Sequence, residues 1–280
     1  MIKLVLSDVD GTLVPLGRHA SPRTMRAIAT LEEAGVRFGL STGRDIVELM
    51  QIFDGDNRAM RTGVLSNGKK VFVDGGLVRL TLIDNGGLER MARVVGEFPG
   101  CFMTAYPLQT DATNPVYCLG AKPEDLVPWA ERYAFNGTVV DKVPDEEIIG
   151  ATIACPFGPE VMANVIARGT QACPEFDFVL PSPQWCDILP KGLNKGTALT
   201  MLLQELGIQR SEVVVFGDAD NDLAILMAVD NSVAVANATR KAKTASRWHI
   251  GACEDEAVAQ ALEEIALATK EGRTPAFMCA

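Results

Sequence analysis

Short apolar runs alternate with amphipathic stretches at both ends of the chain. Leu4–Ser7 (LVLS) is apolar up to its last residue, the pattern of a strand buried on both faces of a parallel sheet. Ser21 then reads as a helix cap with Pro22 in the first turn, Met25, Ile28 and Leu31 mark one helical face, and Gly35 ends it. Residues 36–41 (VRFGLS) predict the next strand, and Ile46, Leu49, Met50 and Phe53 a further helix. Strand, helix, strand and helix in this order predict a parallel sheet covered by helices.

The same texture returns near the C-terminus. Leu199, Leu202, Leu203 and Leu206 share a helical face closed by Gly207. Residues 213–216 (VVVF) and 232–235 (SVAV) read as strands, and 223–229 and 257–268 as helices. The last ten residues, with Gly272 and Pro275, read as a loose tail. Between the two ends the texture changes. Strand-like runs occur at CFMTA, EEIIGATIAC and FDFVLP, with helical stretches near 88–97, 122–135 and 159–168. The expectation is an α/β core made of residues 1–80 and 188–280, interrupted by an α+β domain at 81–187. The hinges fall near 80–82 and 185–189.

Composition narrows the class. With 280 residues, 48% of them hydrophobic, the chain can bury a sizeable core in one large domain or two modest ones. A net charge of −10 opposes bulk electrostatic binding of nucleic acid or an anionic membrane. Seven cysteines with no Cys-x-x-Cys pair read as scattered buried thiols in a reducing compartment. The first apolar run breaks at Asp8, too early for a signal peptide, and no stretch reaches the roughly 18 apolar residues of a membrane span. The expectation is a soluble cytoplasmic protein; the oligomeric state is left open.

Four segments carry chemistry. Asp8-Val9-Asp10-Gly11-Thr12-Leu13 follows the first strand directly, at the sheet edge where α/β proteins bind ligands. Two carboxylates spaced i and i+2 suit a nucleophile and a proton shuttle, and Gly11 permits a sharp turn; alone, the segment is also a plain Asp-Gly turn. Ser41-Thr42-Gly43-Arg44 follows the second strand, where a hydroxyl and helix-start N–H groups hold phosphate or merely cap a helix. Lys195, in Asn194-Lys195-Gly196, offers a cation for a phosphoryl group, or is a surface lysine. Gly217-Asp218-Ala219-Asp220-Asn221-Asp222 follows VVVF, and its acidic oxygens suit a hard cation such as Mg²⁺. Neither His19 nor His249 sits beside a nucleophile; both read as surface or core residues. Gln184 and Trp185 read as hinge packing or as substrate contacts.

In combination and order, these segments resemble the four motifs of the haloacid dehalogenase superfamily. DVDGTL resembles the first, STGR the second, the Lys195 segment the third and GDADND the fourth. Ser66-Asn67-Gly68, Ala236-Asn237-Ala238 and the insertion between the second and third motifs narrow the resemblance to the Cof-like group, subclass IIB. The usual Glu-Asp-Gly stretch reads Glu254-Asp255-Glu256. The resemblance implies a Rossmann-like parallel-sheet core with an inserted α+β cap of the C2 type. It implies Asp8 as nucleophile through an aspartyl-phosphate, Asp10 as acid and then base, and Thr42, Gly43, Lys195 and Asn221 around the phosphoryl group. It implies Mg²⁺ held by Asp8, the carbonyl of Asp10, Asp218 and Asp222. Arg44 is left between a functional role and a structural ion pair. The function implied is a phosphatase of small phosphorylated metabolites, sugar phosphates first among them. A sugar phosphomutase and a non-catalytic receiver-like protein are the alternatives.

Overall fold

A computed structural model describes residues 1–108, 116–133 and 137–279. Contacts divide them into two compact units, Met1–Leu80 with Asn194–Ala280, and Thr81–Leu193.

The first unit begins with β1 (Leu4–Ser7), whose four residues are all buried. Helix α1 (Pro22–Glu33) starts where Ser21 Oγ accepts the Thr24 N–H, and it buries Ala27, Ile28 and Leu31. Then come β2 (Arg37–Ser41), α2 (Ile46–Ile52), β3 (Gly63–Leu65), β4 (Lys70–Val73) and β5 (Gly76–Leu80).

The chain next enters the second unit. In order it holds α3 (Asn85–Gly96), β6 (Phe102–Pro107), β7 (Val116–Leu119), α4 (Pro123–Tyr133) and β8 (Gly137–Val139). There follow β9 (Ile148–Ala154), α5 (Pro159–Ala172), β10 (Phe176–Ser182) and β11 (Trp185–Pro190). The predicted helix at 122–135 is α4, and its last two predicted residues, Ala134 and Phe135, lie outside the described ones. The sheet order is β10-β11-β9-β6-β7-β8, antiparallel except for β7 with β8. Alternate residues of β6 go to opposite faces: Met103 and Ala105 pack with α3 and α5, while Phe102 packs with Trp129 of α4. Trp185 meets Trp129 edge-on at 4.5 Å, inside this same unit. Because β11 pairs with β9 and β10 as far as Pro190, the contact boundary falls after Leu193.

Back in the first unit come α6 (Lys195–Leu206), β12 (Val213–Gly217), α7 (Leu223–Leu226) and β13 (Asn231–Ala234). The short α8 (Arg240–Ala245), β14 (Trp248–His249) and α9 (Ala257–Glu271) complete it. The eight-stranded order is β14-β13-β12-β1-β2-β3-β4-β5. It is parallel from β14 to β3, as the alternation predicts, but ends in an antiparallel β3-β4-β5 meander. Central β1 thus directs its C-terminal end, with those of β2 and β12, to one edge of the sheet. The C-terminal tail is not loose: a turn at Ala276–Met278 packs Phe277 and Met278 on the core, and Glu264 accepts the Ala276 N–H.

Candidate active site

Asp8 is the first residue beyond β1, and its N–H continues the parallel ladder by donating to Phe216 O. Gly11 then turns the chain at φ 79°, a left-handed conformation that disfavours side chains. A Cβ at Gly11 would lie 2.9 Å from Asp218 Oδ2, so only glycine lets the two loops meet. Thr12 Oγ1 donates to Asp218 Oδ1 at 2.9 Å. Asn237 ties a third segment to the turn, donating to Gly11 O while its Oδ1 accepts the Cys253 N–H.

Lys195 opens α6, with Asn194 as the cap whose Oδ1 accepts the N–H groups of Gly196 and Thr197. Its side chain is 1% exposed, and Nζ donates to Asp8 Oδ1 at 2.7 Å and to Asp222 Oδ1 at 2.6 Å. Asp222 is wholly buried, and its Oδ2 accepts the N–H groups of Asp218 and Ala219, so it also shapes the loop after β12.

Burial, reinforced by Asp222 and Asp218, pushes the Asp8 carboxyl up to about 7 against the pull of Lys195. Burial also raises Asp218, opposed by the Thr12 hydroxyl. Lys195 moves upward as well: burial opposes its charge, but Asp222 and Asp8 outweigh that. Carboxylate oxygens of Asp8, Asp218 and Asp222 lie within 4.8 Å of one another. An all-oxygen, acidic donor set of this kind fits a hard divalent cation.

The Asp10 carboxylate turns elsewhere. Arg44 grips both its oxygens, from Nε at 2.6 Å and Nη2 at 2.9 Å, and also reaches Glu48. The hydrogen bond to Asp10 raises Arg44 further. The Asp10 side chain is thus held by Arg44 and is not one of the three carboxylates that gather at the cluster. Thr42 is buried, and its Oγ1 accepts the Arg44 N–H. Asn221 is exposed, in the turn Asp220–Asp222. His19 pairs with exposed Asp54 and His249 contacts Lys243 O, so neither joins the cluster. Thr12 and Asn237 lie within the motifs, but nothing local in the sequence marks the bracing contacts they make.

The fold and this edge of acids and lysine define a haloacid dehalogenase-like architecture. Residues 5–262 match the sequence model of the haloacid dehalogenase-like hydrolases, and the chain belongs to that family. It is an enzyme of the phosphatase kind, as its named relatives are. An HMP-PP phosphatase of Serratia proteamaculans (strain 568) is 26% identical over 278 residues, covering 94% of this chain and 95% of that protein. A phosphoglycolate phosphatase of Methanoculleus marisnigri is 27% identical over 248 residues, 89% of this chain and 90% of that protein. Among solved structures, a sugar phosphatase of HAD subclass IIB superposes with a TM-score of 0.71 at 19% identity, covering 93% of this chain and 98% of its own.

Proposed function

We propose that the chain is a Mg²⁺-dependent phosphatase of small phosphate esters, sugar phosphates among them, working through an aspartyl-phosphate on Asp8. The inserted unit is, in this reading, a cap that selects the leaving group. The observation that carries the reading is the buried Asp8, gripped by Lys195 and sharing its surroundings with Asp218 and Asp222. The three relatives are named for three different substrates, which supports a class of small phosphorylated metabolites rather than one compound.

An oxygen of Asp8 attacks phosphorus as the bond to the leaving oxygen breaks, and Asp10 gives that oxygen a proton. Asp10 then takes a proton from the water that attacks the aspartyl-phosphate, freeing Asp8 and inorganic phosphate. Arg44 holds the Asp10 carboxylate through both its oxygens here, so one oxygen must leave that pair to carry the proton that Asp10 delivers. The Thr42 hydroxyl, which accepts from Arg44 N, keeps its own proton to donate to a phosphoryl oxygen, beside the N–H of Gly43. Lys195 and Asn221 complete the phosphoryl contacts. Asp8, Asp218, Asp222 and the carbonyl of Asp10 would hold Mg²⁺, which when bound offsets the charge of the acids and of the phosphoryl group.

No cysteine is in a disulfide, which supports a reducing, cytoplasmic setting. Among the described residues no helix is long and apolar enough to cross a membrane. The test is phosphate release from a panel of phosphorylated metabolites, in Mg²⁺ and in EDTA. Release that needs Mg²⁺ is expected. Failure to release phosphate from any ester, or full activity in EDTA, would refute the reading.

A further inference from the structure

Three consecutive residues, Ser66, Asn67 and Gly68, have positive φ, at 52°, 57° and 102°. The first two carry side chains, for which this conformation is costly and uncommon. Chain reversal between β3 and β4 does not require it. A tight hairpin needs two such residues, and Asn-Gly is a favoured pair. Here the last paired positions are Leu65 and Lys70, and Ser66 is left-handed before the Asn-Gly pair begins.

The turn's N–H groups are tied to the loop after β2. Ser66 N donates to Arg44 O at 3.1 Å and Asn67 N donates to Thr42 O at 3.0 Å. Ser66 Oγ adds a bond to Asp45, the cap of α2. The Asn67 carboxamide lies so close to Gly43 that a Cβ there would sit 3.2 Å from its oxygen and nitrogen. On the other flank, a Cβ on Gly68 would lie 2.9 Å from Asn194 O and 3.0 Å from Ala198 Cβ. Asn194 caps the helix that Lys195 opens. One strained turn is thus packed against both the Thr42–Gly43 loop and the start of the Lys195 helix.

We propose that the turn Ser66, Asn67 and Gly68 is a positioning device for the phosphoryl site, with the Asn67 side chain holding the Thr42–Gly43 loop and Gly68 seating the Lys195 helix. The proposal rests on the phosphatase reading. Both flanks supply phosphoryl contacts in that reading, so the turn sets their spacing, and small misplacement of such groups lowers rates steeply. The residues reach the reacting atoms only through Thr42, Gly43 and Lys195.

The decisive variant is Asn67→Gly, which relieves the left-handed backbone but deletes the carboxamide. It should melt at or above the wild-type temperature, because glycine adopts this conformation freely. Its kcat/KM should nonetheless fall about tenfold or more, and inorganic phosphate should inhibit it correspondingly more weakly. Gly68→Ala should lose activity too, with the contact to Asn194 displaced. Wild-type kcat/KM and phosphate inhibition in Asn67→Gly would overturn the proposal. So would joint loss of stability and activity in that variant, which would mark Asn67 as a residue of the fold only. An inert wild type would instead sink the phosphatase reading, and that is seen before any variant is made.

Discussion

Replacing Lys195 with methionine removes the cation shared by Asp8 and Asp222 while nearly preserving side-chain length. The ammonium sits 2.7 and 2.6 Å from the two carboxylates, with Lys195 1% and Asp222 0% exposed, so water cannot take its place. Removing one partner of a buried pair costs about 3–5 kcal/mol, because the other charge is left uncompensated. Proton uptake limits the loss here. Asp8 is already raised to about 7 with the lysine present, and without it the carboxyl binds a proton more readily still. A destabilisation of about 3–4 kcal/mol is expected near pH 8 in EDTA.

The sign of the pH dependence follows from the same shift. A carboxyl whose folded value lies above its unfolded 3.8 contributes stability that is fully present below about pH 4 and lost as pH rises through about 7. The substitution raises that folded value further, so the deficit should be small near pH 5 and largest near pH 8. Mg²⁺ should restore more stability to the variant than to the wild type, since it supplies the missing positive charge. Urea unfolding at the two pH values, in EDTA and in Mg²⁺, reads all of this. A deficit below about 1 kcal/mol at pH 8 in EDTA, or one equal at both pH values, would refute the reasoning.

Asp10→Asn should still be phosphorylated by p-nitrophenyl phosphate, whose leaving group needs little protonation, and then stall: rapid mixing should show a burst of at most about one p-nitrophenol per site. Wild-type turnover of both this ester and a sugar phosphate would remove Asp10 from its role. Asp218→Ala takes one carboxylate from the cluster, so the Mg²⁺ concentration for half-maximal activity should rise at least about tenfold; an unchanged titration would exclude Asp218 from the metal site. Glu256 stands in the left-handed region at φ 55°, where the family pattern has glycine, and accepts a hydrogen bond from Ser21. Glu256→Gly should raise stability by up to about 1 kcal/mol in thermal melts; a decrease would mean that the Ser21 contact outweighs the backbone cost.

Buried parallel strands are legible because burial on both faces leaves near-continuous apolar runs, as in Leu4–Leu6 and Val213–Phe216. The β4-β5 hairpin is hard to read from sequence because β4 is only four residues long and β5 exposes its apolar Leu77, Val78 and Leu80, so no alternation of buried and exposed positions marks it. β8, at three residues, is too short for any periodicity. The docked tail is hidden because Gly272 and Pro275 precede Phe277 and suggest a loose end, and only the fold brings Phe216 near its ring, centroids 6.4 Å apart.

The candidate site divides along the same line. Residue types on a loop after a strand are readable, since their chemistry is local to the motif. Charge balance is not. Residue type alone leaves Lys195 open between a phosphoryl-binding cation and a surface lysine, and only the fold closes Asp8, 187 positions away, and Asp222, 27 away, around it. Arg44 was equally open between two roles, and the fold places it on Asp10, 34 positions away. These pairings bear on which acids are charged at rest, and therefore on what a metal ion or a phosphoryl group must displace. In the proposed reaction, a phosphoryl group drawing on Lys195 would compete with Asp8 and Asp222 for the same ammonium. A cation held by those carboxylates would lower their hold on the lysine, so metal and phosphoryl binding are expected to favour each other through this one side chain.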